Sequence, residues 1–191
     1  TLKLDDDVLR YRFASAYFTK ARALRAELDY DYVSEQMIQD GALDRYKVLV
    51  FLWGHITEAG ILERIDRWVK AGGVVFYPVQ PRGLLTTVEG DSSIARQWLE
   101  NQTGKGKVIF YLGDAIPGEP YARFVRTELL KLPQLRPEIR AALQMKKPAE
   151  VFWSVLSTGR LALLNFGDEE ATVRLAGGKT LRLQPYAIVL E

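Results

Sequence analysis

Cysteine is absent from the 191-residue chain, which excludes disulfides, thiolate metal sites and a cysteine nucleophile. Histidine occurs once, as His55. An excess of charge of one sign is also missing. The 26 basic and 24 acidic residues leave a formal charge of +2, so there is little long-range attraction toward nucleic acid or an anionic membrane, and neither is expected as a partner. Long apolar runs are absent too: Val48 to Trp53 and Val74 to Tyr77 fall far short of the roughly 20 residues that cross a bilayer. The chain starts Thr1-Leu2-Lys3-Leu4 without an initiator methionine, a basic n-region or an apolar h-region, and reads as the cut end of a longer polypeptide or a processed chain.

What is present is enough apolar matter for a substantial core, 48% of residues, arranged with a clear change of period. Phe13, Ala16, Tyr17, Ala21 and Leu24 recur at helical spacing between Tyr11 and Glu27, with Arg10, Lys20, Arg22 and Arg25 mainly on the other side. Leu28 to Val33 alternates Asp and Tyr and suits a short strand, with a helix starting at Ser34 and Glu35. Val48 to Leu52 is a continuous β-rich run of the kind buried on both faces of a parallel sheet. Thr57 is placed to cap the next helix, whose apolar stripe is Ile61, Leu62, Ile65, Trp68 and Val69. Gly72-Gly73 ends that helix, since glycine reaches the left-handed region at no cost, and Val74 to Tyr77 forms a second buried strand.

Pro78 to Gly90 reads as a loop or a pair of short extended pieces. Asp91 or Ser92 can cap a helix bearing Ile94, Ala95, Trp98 and Leu99, and a third strand follows at Val108 to Leu112. A helix from Glu119 to Leu132 and a short one between Pro137 and Lys146 complete an α/β body, residues 1–147. Beyond Pro148 the period changes to alternation. Val151 to Leu156, Leu161 to Asn165, Ala171 to Leu175, Thr180 to Leu183 and Ala187 to Leu190 read as short strands of a small antiparallel β domain, residues 148–191.

The run Leu43-Asp44-Arg45-Tyr46-Lys47-Val48-Leu49-Val50, the helix over Thr57 to Val69 and Lys70-Ala71-Gly72-Gly73-Val74-Val75 together resemble a class I glutamine amidotransferase-like domain. The domain in question follows the catalytic barrel in β-galactosidases of glycoside hydrolase family 42. Gly159-Arg160-Leu161-Ala162-Leu163-Leu164-Asn165-Phe166, Thr172-Val173-Arg174-Leu175 and Leu183-Gln184-Pro185-Tyr186-Ala187-Ile188-Val189 are similar to the small β domain that closes such enzymes. The resemblance implies a flavodoxin-like or amidotransferase-like parallel sheet flanked by helices, and a small antiparallel β domain after it. It also implies an upstream catalytic barrel as a partner in the same polypeptide, and a homo-oligomer, since the first domain is associated with trimer formation in that family.

The family's catalysis uses two glutamates on a (β/α)8 barrel of about 250 residues, for which this chain has no room, so no catalytic residue is assigned. No cofactor and no metal ion is expected. The best polar candidates lie where open α/β sheets bind ligands, past the carboxyl ends of the strands: Trp53 and His55 after the first, Tyr77, Gln80 and Arg82 around the end of the second. Aromatic rings beside amide and guanidinium donors can hold carbohydrate, covering its C–H groups while the donors engage hydroxyls, or can form a subunit or domain interface. Glu89 with Asp91 and Asp114 with Glu119 are loop carboxylates that suit helix capping better than acid/base work. Gly104-Lys105-Gly106-Lys107 lacks a phosphate-loop ending and precedes a strand, so it reads as a turn. Three readings follow: a non-catalytic supporting and oligomerising region of a glycoside hydrolase, a carbohydrate-binding module using Trp53, His55 and Tyr77, and a small hydrolase that works without cysteine.

Overall fold

The computed structural model of the chain describes residues 7–52, 54–79, 83–113 and 118–191. Two compact units emerge: Thr1–Lys20 with Asp31–Tyr121, and Ala21–Tyr30 with Ala122–Glu191. The change of sequence period at Pro148 falls inside the second of these.

The elements run α1 (Asp7–Glu27), α2 (Glu35–Gln39), a 3-10 turn (Ala42–Arg45), β1 (Val48–Val50), β2 (Ile56–Thr57), α3 (Ala59–Lys70), β3 (Val74–Pro78), β4 (Thr86–Thr87), α4 (Ser93–Leu99), β5 (Lys107–Tyr111) and α5 (Glu119–Leu130). β1, β3 and β5 form a parallel sheet in that order, with Val48 opposite Val74 and Val74 opposite Lys107. β2 and β4 make a separate parallel pair, Ile56 on Thr86. The first core gathers Leu49, Val75, Tyr77 and Val108 from the sheet, the predicted stripe Ile61, Leu62, Ile65 and Val69 from α3, and Ala95 and Trp98 from α4. Inside it, the carboxylate of Asp66 accepts the Trp98 indole N–H at 2.9 Å and the Lys70 ammonium at 2.7 Å, which satisfies a buried charge that would otherwise be costly.

The glycines around α3 have stated tasks. Gly72 takes φ +125° just past the helix, and a Cβ on Gly73 would lie 2.3 Å from the Trp68 ring, so a side chain at either position is excluded by conformation or by contact. Ser34 caps α2, its hydroxyl accepting the Met37 N–H at 3.3 Å. Two local expectations are corrected. Leu28 to Val33 is irregular rather than a strand, because its polar side chains are engaged elsewhere: Asp29 accepts from Arg25 and Ser154, each at 2.6 Å, and Asp31 accepts from the Tyr46 hydroxyl at 2.7 Å. Thr57 does not cap α3; it sits buried in β2 and its hydroxyl donates to the Glu35 carboxylate.

The second unit holds α6 (Pro137–Leu143) and strands β6 (Val151–Val155), β7 (Leu161–Asn165), β8 (Ala171–Arg174), β9 (Thr180–Leu183) and β10 (Ile188–Leu190). These arrange as two antiparallel sheets, β10-β7-β6 and β8-β9. Alternation places Val151, Trp153 and Leu163 inward, with Ala171, Val173 and Leu183 of the second sheet also buried. Asn165, only 1% exposed, is the polar pin of this unit. Its Nδ2 donates to the carbonyls of Glu169, Leu183 and Gln184 at 2.8, 3.2 and 3.1 Å, while its Oδ1 accepts the Gly167 N–H at 3.0 Å. Among the described residues no helix is long and apolar enough to cross a membrane.

Candidate functional site

Of the residues expected at the carboxyl edge of the parallel sheet, Trp53, Gln80 and Arg82 lie outside the described residues. His55 is half-buried in the loop between β1 and β2, and its backbone carbonyl accepts the Thr86 N–H at 2.8 Å. Tyr77 does not open at the edge as expected. Its ring is 1% exposed and stands edge-on to Phe51 and Phe110 at 5.4 and 6.2 Å, so no ring face is offered to a sugar. Every residue of β3 is buried, which leaves a side chain at 77 no outlet. Burial pushes the Tyr77 phenol up to about 12, and its hydroxyl has no hydrogen-bond partner among the described residues.

Two groups at this edge escape a sequence reading. Lys20, assigned by helical spacing to the polar side of α1, is 1% exposed, and its ammonium donates to the Leu52 carbonyl at 3.3 Å. The hydroxyl of Tyr121 lies 3.0 Å from the Phe51 carbonyl and 3.2 Å from that of Phe76, and burial, then the neighbouring Tyr77, raises its pKa well above the ordinary phenol value. Carbonyls just beyond β1 and within β3 are thus taken up by side chains of the same unit.

The other sequence candidates reduce to structural tasks. Asp91 accepts the Ser93 N–H at 2.8 Å and its hydroxyl at 2.9 Å at the start of α4, and these bonds lower its pKa. Asp114 lies outside the described residues, and Glu119 opens α5. In the Gly-Lys-Gly-Lys turn the amides of Lys105 and Lys107 donate to the Lys70 and Gly73 carbonyls at 3.0 and 3.1 Å. Amides so engaged cannot cradle a phosphate, which agrees with reading the segment as a turn. Among the described residues no cluster of His, Asp and Glu could hold a metal ion.

A polar cavity of about 160 Å³ lies wholly within the second unit, walled by Glu27, Arg126, Lys147 and Trp153 together with Leu143 and Met145. Arg126 pairs with Glu27 at 3.2 Å and donates its Nε to the Leu143 carbonyl at 2.7 Å. Lys147 reaches the last turn of α1, donating to the Ala26 carbonyl at 2.6 Å, and the Trp153 indole N–H reaches the Glu27 carbonyl at 3.3 Å. Burial brings the Lys147 ammonium down to about 8, against the opposing pull of Glu27. Nothing local in the sequence marks this constellation.

The architecture defined so far, a parallel α/β unit together with a unit of small antiparallel sheets, is one that the chain shares with segments of solved glycoside hydrolases of family 42. The exo-carrageenase GH42 of Bacteroides ovatus is 15% identical with a TM-score of 0.56, over 97% of this chain and 26% of that one. Gan42B, a GH42 β-galactosidase of G. stearothermophilus, is 14% identical with a TM-score of 0.59, over 100% of this chain and 37% of its own. The β-galactosidase of Rahnella sp. R3 is 17% identical with a TM-score of 0.54, over 90% of this chain and 35% of that one. The chain therefore spans between about a quarter and three-eighths of these structures, and the likeness is one of fold. No protein-family model and no curated protein matches the sequence.

Proposed function

We propose that the chain is a non-catalytic, supporting and oligomerising region of a larger glycoside hydrolase. In finer terms, its β1-β3-β5 sheet belongs to an amidotransferase-like domain and its last strands to the small β domain that closes such an enzyme. The observation that carries the reading is the asymmetry of coverage: the chain is matched over 97% and 100% of its length by solved hydrolases of which it spans only 26% and 37%. A segment that accounts for the whole of one fold and a fraction of another is what an accessory region gives. The side chains at the carboxyl edge support it, since Lys20 and Tyr121 are engaged with backbone carbonyls.

Two measurements test this. Light scattering of the isolated chain is expected to show a concentration-dependent oligomer; a strict monomer at high concentration removes the oligomerising role. A panel of galactosides and other glycosides is expected to give no turnover above buffer. Reproducible hydrolysis by the purified chain, abolished by a point substitution, overturns the non-catalytic role.

A further inference from the structure

The three-stranded sheet of the second unit has two unlike edges. At one, β6 lies against the end of α1: the Ser154 hydroxyl donates to the Asp29 carboxylate at 2.6 Å and the Trp153 indole N–H to the Glu27 carbonyl at 3.3 Å. At the other, β10 pairs with β7 alone, Ile188 opposite Leu164 and Leu190 opposite Ala162. Glu191 and Leu161 exchange N–H to carbonyl bonds at 2.8 Å, and the Asn165 N–H donates to the Ala187 carbonyl at 3.0 Å. By the alternation of an antiparallel ladder, Ile188 and Leu190 therefore turn their N–H and C=O groups away from β7, toward the open edge. The Leu190 carbonyl takes the Arg160 guanidinium at 3.3 Å, and the other three groups have no partner among the described residues. Natural edge strands are commonly blunted by a proline, a lysine or a bulge, and Ile188-Val189-Leu190 has none of these. Its outer side chains are apolar and open, Ile188 being 69% and Leu190 46% exposed.

An antiparallel partner strand must set an outward-turned residue opposite another outward-turned residue. In a second copy related by a two-fold axis through Val189, Ile188 faces the partner's Leu190 and Leu190 faces the partner's Ile188, so that each pair exchanges two N–H to carbonyl bonds once Arg160 releases its long one. Residues directly opposite in such a ladder project to one face, which brings these Ile and Leu side chains together. The two ends of the strand are also complementary in charge. At the Leu190 end stand Arg160 and, ion-paired to Glu191, Lys179. At the Ile188 end stands the turn Asp168-Glu169-Glu170, held there by the Asn165 amide on the Glu169 carbonyl. The two-fold sets the basic end of each copy against the acidic end of the other. We propose that β10 is a self-docking edge through which two copies of the chain join their three-stranded sheets into one. The proposal rests on the oligomerising reading and gives it a place in the fold. Three residues per copy bury less than the about 800 Å² per partner of a standard interface, so a dissociation constant of about 10 μM or weaker is expected.

The test is residue-resolved amide hydrogen exchange of the ¹⁵N-labelled chain at about 10 μM and about 1 mM, beside light scattering at the same concentrations. The Ile188 and Leu190 amides are expected to exchange freely when dilute and to gain about fivefold protection or more when concentrated, in step with a dimer, while the Val189 amide, turned toward β7, stays as it was. Ile188→Lys is expected to leave the circular dichroism unchanged, since the position is 69% exposed, and to weaken the dimer about tenfold or more by placing a charge at both ends of the seam. Phe166→Lys, 63% exposed just past β7 and away from the seam, is expected to leave the dimer intact. A chain still monomeric at about 1 mM overturns both this proposal and the oligomerising role. An oligomer that survives Ile188→Lys, or that forms without protection at Ile188 and Leu190, overturns the edge pairing and leaves the oligomerising role standing. One dissolved by Phe166→Lys and not by Ile188→Lys assigns the contact to the sheet face and overturns the edge pairing as well.

Discussion

Asn165→Asp changes one atom in the best-satisfied polar group of the second unit. The amide nitrogen faces three carbonyl oxygens at 2.8, 3.2 and 3.1 Å, in a residue 1% exposed. At neutral pH the substitution puts a carboxylate oxygen where the donor was, so the bonds are replaced by repulsion from three partial negative charges. Losing two net hydrogen bonds costs about 1 kcal/mol each, and an unpaired buried charge costs about 3–5 kcal/mol if it stays ionised. The carboxyl escapes part of this by holding its proton, which restores one O–H donor. A destabilisation of about 3 kcal/mol or more is expected at pH 7. Its pH dependence follows from the sign of the shift: the folded-state pKa of the new carboxyl is raised above about 3.9, so the folded state binds the extra proton and the deficit shrinks as pH falls toward 4. Urea unfolding followed by circular dichroism at pH 7 and pH 4.5 measures both quantities. A variant within about 0.5 kcal/mol of the original chain at pH 7, or one whose deficit grows on acidification, refutes the argument.

Tyr77→Phe removes a buried hydroxyl with no partner among the described residues and is expected to stabilise by up to about 1 kcal/mol in thermal unfolding; a loss of that size would mean that the hydroxyl is bonded. Asp66→Ala strands the buried Trp98 indole N–H and is expected to cost about 2–4 kcal/mol by urea titration, with Asp66→Asn, which keeps an acceptor, costing distinctly less. Lys147 holds its proton less tightly folded than unfolded, so its penalty is present at low pH and is relieved as pH rises from about 8 to the unfolded value of 10.5. Discounted for the solvent that reaches the amine, the stability difference between the original chain and Lys147→Met should shift by about 1–2 kcal/mol across that window in favour of lysine, and a flat difference counts against the burial.

Local pattern carried much of the fold. The stripe of α3, Gly72-Gly73, the three parallel strands and the five later ones are each set by the spacing of neighbours a few residues apart, which is why they read directly. Alternation misled at Leu28 to Val33, where Asp and Tyr recur with a strand's period but serve as separate hydrogen-bonding groups. The candidate site was less legible. Tyr77 was placed at the right end of the right strand, yet which way its ring faces depends on what covers β3. Lys20 fits the polar side of a helix by spacing and is buried nonetheless, its ammonium on the Leu52 carbonyl 32 positions away.

From the amino-acid order alone come most of the helices and longer strands, the absence of thiol chemistry and the near-neutral charge, because each depends on composition or on contacts within one or two turns of chain. Only the tertiary structure brings Glu27 to Arg126, Lys147 to Ala26 and Trp153 to Glu27, across 99, 121 and 126 positions. Closure over such separations follows from how helix ends and sheet faces pack, and a cavity exists only where that packing leaves space. The constellation in its wall is therefore a property of the folded chain and of no segment within it.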